Sequence, residues 1–140
     1  MKKRRIGIAL TLLGIMGLAV PAQAAEGTFT SFLTGVVTDF RSRNWSDKNL
    51  TADATTIRME NCVIQSGLTN ASATMGVQLR QDRSLQPDRD AGTRSFPCGR
   101  PSGNTSTQSW GRQTAGNYFF KITWTPSNDR TNVQRVIVTW

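Results

Sequence analysis

The alternation at the end of the chain constrains the fold more than any other feature. Tyr118, Phe120, Ile122 and Trp124 recur at every second position, with Asn117, Lys121 and Thr123 between them. A strand with one face in a core produces that pattern. Residues 134–140 repeat it through Val136, Val138 and Trp140, and the stretch 125–132 between them is dense in turn formers. The two runs are expected to pair as a hairpin. Its second strand is expected to be integral to a sheet, because a frayed end would expose the Trp140 indole for no gain.

The rest of the chain reads in the same way. In residues 27–45, threonines alternate loosely with aromatics, and Val36, Thr38 and Phe40 are expected on one face of a first strand. Residues 46–54 are a polar connection in which Leu50 is expected to enter the core. In residues 55–66, Ile57 and Met59 take one face and Cys62 and Ile64 the other, so the phase slips, as at a bulge or in a strand covered on both sides. Met75, Val77 and Leu79 then alternate cleanly with Gly76, Gln78 and Arg80, which predicts a hairpin over 55–80. Residues 81–109 are rich in Pro, Gly, Asp and Ser. This stretch reads as a long loop pinned by Cys98, with one short strand inside 92–98 that sets Phe96 in the core beside the cysteine. The expectation is an all-β fold: a small antiparallel β-sandwich, immunoglobulin-like or a related barrel, with about six to eight short strands and one disulfide.

Lys2, Lys3, Arg4 and Arg5, the apolar run from Ile6 to Val20 and the small residues around Ala22 and Ala24 make a secretory signal peptide over residues 1–24, with cleavage near Ala24. The run is shorter than the roughly 20 residues a membrane span needs. Residues 25–140 are then a single secreted or periplasmic domain without a transmembrane segment. This mature part keeps 13 basic against nine acidic residues, a net +4 instead of the +8 of the whole chain.

Two cysteines in an exported domain, Cys62 and Cys98, predict one structural disulfide. The chain has no histidine, which removes the common serine and cysteine triads and the usual zinc sites. No cofactor or metal is called for. Among the carboxylates, Glu60 is the one placed to face a cleft as a glycosidase would need, but no spacing brings a second one to it. Asp88 and Asp90, followed by Gly92, open like some calcium loops but lack the third acidic position and the closing Glu, so an Asx-rich turn accounts for them.

Gly116-x-Tyr118-x-Phe120 resembles the tyrosine corner of immunoglobulin-like sandwiches, with Phe120 where those domains often carry their second cysteine. The resemblance spans five residues, implies a sandwich, and implies no function.

Three surfaces are candidates for binding. Trp45 and Trp110, set among small polar residues, are placed to stack on sugar rings or to enter a partner. Arg83, Arg89, Arg94 and Arg100, with Arg80 and Arg112 beside them, make the region 80–112 basic, which suits an anionic polymer unless these arginines pair locally with Asp82, Asp88 and Asp90. The run from Phe96 to Pro101 around Cys98 is a disulfide-anchored segment of the kind protease inhibitors present. The composite expectation is a small secreted binding protein, not an enzyme, that recognises an anionic envelope polymer, a glycan or an extracellular protein, with nucleic acid excluded as the physiological partner. An antimicrobial or toxin-like protein and a protease inhibitor acting through the Cys98 loop are the alternatives.

Overall fold

A computed structural model describes residues 24–100 and 104–140; the signal-peptide reading and Pro101 lie outside them. Eight strands are present: β1 (Thr28–Val36), β2 (Trp45–Asp47), β3 (Thr56–Ile64), β4 (Thr74–Asp82), β5 (Arg89–Pro97), β6 (Thr105–Ser109), β7 (Gly116–Trp124) and β8 (Thr131–Thr139). They form two four-stranded sheets, ordered β1-β8-β3-β6 and β2-β7-β4-β5, and every pairing is antiparallel. The expected all-β sandwich is therefore present. Its strand order is that of an eight-stranded jelly roll, in which two Greek keys wind into facing sheets.

Facing inner sides make one core. Phe29, Leu33, Ile57, Met59, Val133, Val136 and Val138 from the first sheet meet Met75, Val77, Leu79, Phe96, Tyr118, Phe120 and Ile122 from the second. Phe96 is buried in the same cluster as Cys98, as expected. Cys62 and Cys98 are bonded, with Cα atoms 4.7 Å apart. The bridge ties the inner strand β3 of one sheet to the end of the edge strand β5 of the other, and backbone bonds from Cys98 N to Ala73 O and from Gly99 N to Cys62 O, both 3.0 Å, flank it. Tyr118 makes a tyrosine corner: its hydroxyl donates to the Thr114 carbonyl at 2.6 Å.

Both expected hairpins are corrected. β3 and β4 lie in different sheets, and so do β7 and β8. Alternation marks which residues face inward, and a strand has the same inward residues whether the next strand pairs beside it or crosses to the opposite sheet. Pro126, Ser127 and Asn128, with positive φ at the last two, arch the chain across. The true hairpin is β4–β5, and its second arm is longer than the short strand expected, since only Phe96 of its nine residues is fully buried.

Other positions also differ. The first strand ends at Val36, leaving Thr38 in an exposed turn and Phe40 partly buried. Leu50 is 75% exposed, because the connection that carries it runs over the surface. A register shift between Gly76 and Val77 puts Trp124 opposite Gly76 on the outer side, and a methyl at Gly76 would collide with its indole. Trp124 thus leaves the inward set to which Tyr118, Phe120 and Ile122 belong. Cys62 lies on the same inner side as Met59: between them Glu60 and Asn61 both point outward, with Asn61 at φ +53°.

Replacing Cys62 and Cys98 together by Ala is expected to lower stability by about 2–4 kcal/mol while retaining strand content, measured by denaturant unfolding with far-ultraviolet circular dichroism. Tyr118→Phe, which strands the Thr114 carbonyl, is expected to cost about 1–2 kcal/mol in the same assay.

Candidate functional site

On a regular strand two consecutive outward residues break the alternation. The neighbouring strands β3 and β8 do this together, and the edge strand beside them loses register as a result. β3 steps out at Glu60 and Asn61, β8 steps out opposite them at Gln134 and Arg135, and the β1–β8 register shifts between Ser31 and Leu33. Because the steps are in line, the β3–β8 register is the same on either side of them. The outer face of the first sheet hollows there into a groove of about 450 Å³, framed by Phe32, Thr34, Asn61, Val63, Asn132 and Gln134.

The lining has a definite chemistry. Phe32 is 69% exposed, an aromatic ring offered to solvent from a strand. Asn61 Nδ2 donates to Gln134 Oε1. The backbone N–H of Gly35 donates to Asn132 Oδ1 at 2.7 Å, which fixes that carboxamide and leaves its NH2 as a donor. Among the described residues no charged side chain lines the groove. Glu60 is held between Arg58 at 2.9 Å and Arg135 at 3.6 Å, so it serves as the centre of an ion-pair network.

The residues singled out from the sequence lie elsewhere. Trp45 and Trp110 are each only 6% exposed and belong to the core, which corrects the expectation that they meet a ligand. Trp45 packs with Phe29, Tyr118 and Trp140, and Trp110 donates its indole N–H to the Gly92 carbonyl at 2.8 Å. Small polar neighbours misled because each indole is wrapped by other strands instead of by its own sequence neighbours. The arginines do not converge either. Arg83 sits at the β4–β5 turn and Arg100 beyond the far end of β5, with the length of a nine-residue strand between them, roughly 30 Å at 3.3 Å per residue. Arg83 bonds Gln86, Arg89 bonds Gln113, and Arg94 bonds the Ser109 carbonyl. The local pairing with Asp82, Asp88 and Asp90 is also absent from the ion pairs of the described residues, where Asp82 takes Arg41 instead.

Phe96 and Pro97 are strand, and Cys98 and Gly99 are buried, so the segment presents only Arg100 among its described residues. Asp90 receives the Gly92 N–H at 2.7 Å and the Gln78 amide at 2.7 Å, the geometry of an Asx turn. On the outer face of the second sheet, Arg41, Lys121 and Arg80 surround Phe119, with the Arg41 guanidinium 3.7 Å from the ring centre. Like charges on neighbouring strands repel, and here Asp82 takes Arg41 at 2.9 Å and Asp39 takes Lys121 at 2.6 Å. Arg80 bonds Gln78 and the Asp88 carbonyl, so the cluster satisfies itself.

Burial pushes the Asp47 carboxyl above its ordinary range, and Glu26 adds to this; the Asn49 N–H bond and Arg112 oppose it. Asp129 is lowered by its bond from Ser66 and by the Arg130 N–H. Neither carboxylate lines the groove.

Comparison with known proteins leaves the groove to speak for itself: no family model, curated protein or solved structure matches this chain.

Asp47 binds its proton more tightly in the native than in the unfolded state, so its charge costs stability at neutral pH, and that cost fades as pH falls through the raised pKa. Asp47→Asn, which keeps an acceptor for the Asn49 N–H, is expected to melt above the parent at pH 7 and level with it near pH 3. Thermal melts at the two values check this.

Proposed function

We propose that the chain is an exported, non-enzymatic binding domain that recognises a glycan of the cell envelope or its surroundings through the groove at Phe32. The observation that carries the reading is an exposed phenyl ring beside three carboxamides, Asn61, Asn132 and Gln134, in a groove of about 450 Å³ free of charge. That size lies within the range of small-ligand sites, roughly 300–1,000 Å³. A carboxamide offers a donor and an acceptor side by side, which matches two neighbouring sugar hydroxyls. A phenyl ring covers the apolar C–H face of a pyranose and freezes few rotors in doing so. A neutral lining suits a neutral ligand, because no charge is left desolvated when the ligand enters.

Export is supported by the reading of residues 1–24 and by the disulfide, which persists in oxidising compartments. Among the described residues no helix is long and apolar enough to cross a membrane. The glycan takes precedence over an anionic polymer within the same proposal, since the arginines on which the latter depends are spread from the β4–β5 turn to beyond the far end of β5.

Retention on immobilised polysaccharides, followed by calorimetry on soluble oligosaccharides, tests this. Phe32→Ala is expected to weaken binding by about tenfold or more, a cost of about 1.4 kcal/mol, with a melting temperature unchanged because the ring is exposed. Binding is expected to persist at high salt and in the triple variant Arg83→Ser, Arg94→Ser, Arg100→Ser. Retention that survives Phe32→Ala, or that is lost in high salt and in the triple variant, would return the search to the charged surface.

A further inference from the structure

A second, smaller opening lies on the other side of Phe32. Residues 39–42 run beside β7, with Ile122 N bonded to Phe40 O and Ser42 N to Phe120 O, both at 2.9 Å, so they extend the second sheet at the flank where β1 edges the first. Between β1 and this segment is a slot of about 120 Å³, walled by Phe29, Leu33, Phe40 and Phe120 with Ser31 and Arg43 at its mouth. The Arg43 guanidinium is held there by the Phe29 ring, 3.9 Å from its centre. Phe32 and Leu33 line both the slot and the groove. A ligand seated on Phe32 is therefore adjacent both to an apolar recess and to the carboxamides.

From this adjacency we infer that the groove selects an acylated sugar residue, such as an N-acetylhexosamine unit, with the acyl methyl in the slot and the acyl carbonyl oxygen accepting from Arg43. The inference rests on the glycan reading above and adds to it the identity of the substituent. The recess is walled by aliphatic and aromatic side chains where the groove also carries three carboxamides, which suits a ligand with one small hydrocarbon group on a hydroxylated ring. Size sets the limit. An enclosed apolar cavity of about 150 Å³ holds benzene, so a slot of about 120 Å³ suits an acetyl group better than a phenyl ring. A guanidinium N–H to a carbonyl oxygen is a charge-assisted bond, stronger than a neutral one, and it neutralises nothing, so it is compatible with an uncharged ligand.

The test uses one polysaccharide in three forms, N-acetylated, de-N-acetylated, and re-acylated with benzoyl, with affinity measured for the parent domain and for Ser31→Phe, Arg43→Met and Phe32→Ala. Ser31 is exposed at the mouth, so a phenyl there blocks the slot without disturbing the core, and Met keeps the cover over Phe29 while removing the donor. The parent is expected to prefer the acetylated form over both others by about 10-fold to 200-fold, the range for a small group filling an apolar pocket. Ser31→Phe is expected to abolish that preference and Arg43→Met to reduce it, with melting temperatures level with the parent. Equal affinity of the parent for acetylated and de-N-acetylated polymer, with binding still lost in Phe32→Ala, overturns the inference and leaves the glycan reading standing. Tightest binding of the benzoylated form also overturns it, pointing to a lipid or aromatic occupant. Absence of binding to any form by any variant overturns both readings.

Discussion

Strict alternation of side chains between the two faces of a strand is the constraint on which the rest of this molecule depends. A strand that turns two consecutive residues outward would throw every later residue onto the wrong face unless its neighbours step in line with it. β3 and β8 do so at paired positions, Glu60 with Arg135 and Asn61 beside Gln134, and the β1 register shifts next to them. The common step returns Cys62 and Val133 to the core. It thereby lets the disulfide reach across to Cys98 and leaves carboxamides on the outside where a regular sheet would carry only one residue per strand. The groove and the cross-sheet staple are two results of one local departure.

Architecture alone says little about activity, since jelly-roll sandwiches host many functions. The functional reading comes from what lines the two openings beside Phe32. Phe32 is one of several apolar side chains exposed on this surface, and it is the one that lines both an amide-bearing groove and an apolar slot. Elsewhere the polar surface is satisfied within itself. Arg41, Lys121 and Arg80 have their own acceptors, Asp90 closes a turn, and Glu60 holds two arginines. These charges therefore hold the structure in place, and recognition falls to neutral groups together with the Arg43 guanidinium at the slot.

Much of the fold was legible because inward alternation survives any topology: Met75, Val77, Leu79, Tyr118, Phe120, Ile122, Val136 and Val138 are core residues as expected. The cysteine pairing followed from compartment and count. Which strands lie side by side was not legible, because an arch and a hairpin impose the same local pattern; the turn chemistry at Pro126 serves either. The tryptophans were misplaced because burial by distant strands leaves no mark in the flanking residues. The site itself had a partial signal. Spacings of three between Met59 and Cys62 and between Val133 and Val136, with apolar Phe32 and Leu33 adjacent, mean that either one residue of each set faces outward or the alternation breaks between them. Only the register of the sheet shows that those three irregularities meet.

The central claim, that Phe32 and its three carboxamides form the recognition site, is tested most directly by following side-chain NH2 resonances in ¹⁵N-labelled protein during titration with a soluble N-acetylated oligosaccharide. The account predicts saturable shifts confined to the NH2 groups of Asn61, Asn132 and Gln134 and to backbone amides of residues 31–35 and 40–43. Shifts centred instead on residues 83–100, or on Arg41, Arg80 and Lys121, with the three carboxamides unmoved, would contradict it.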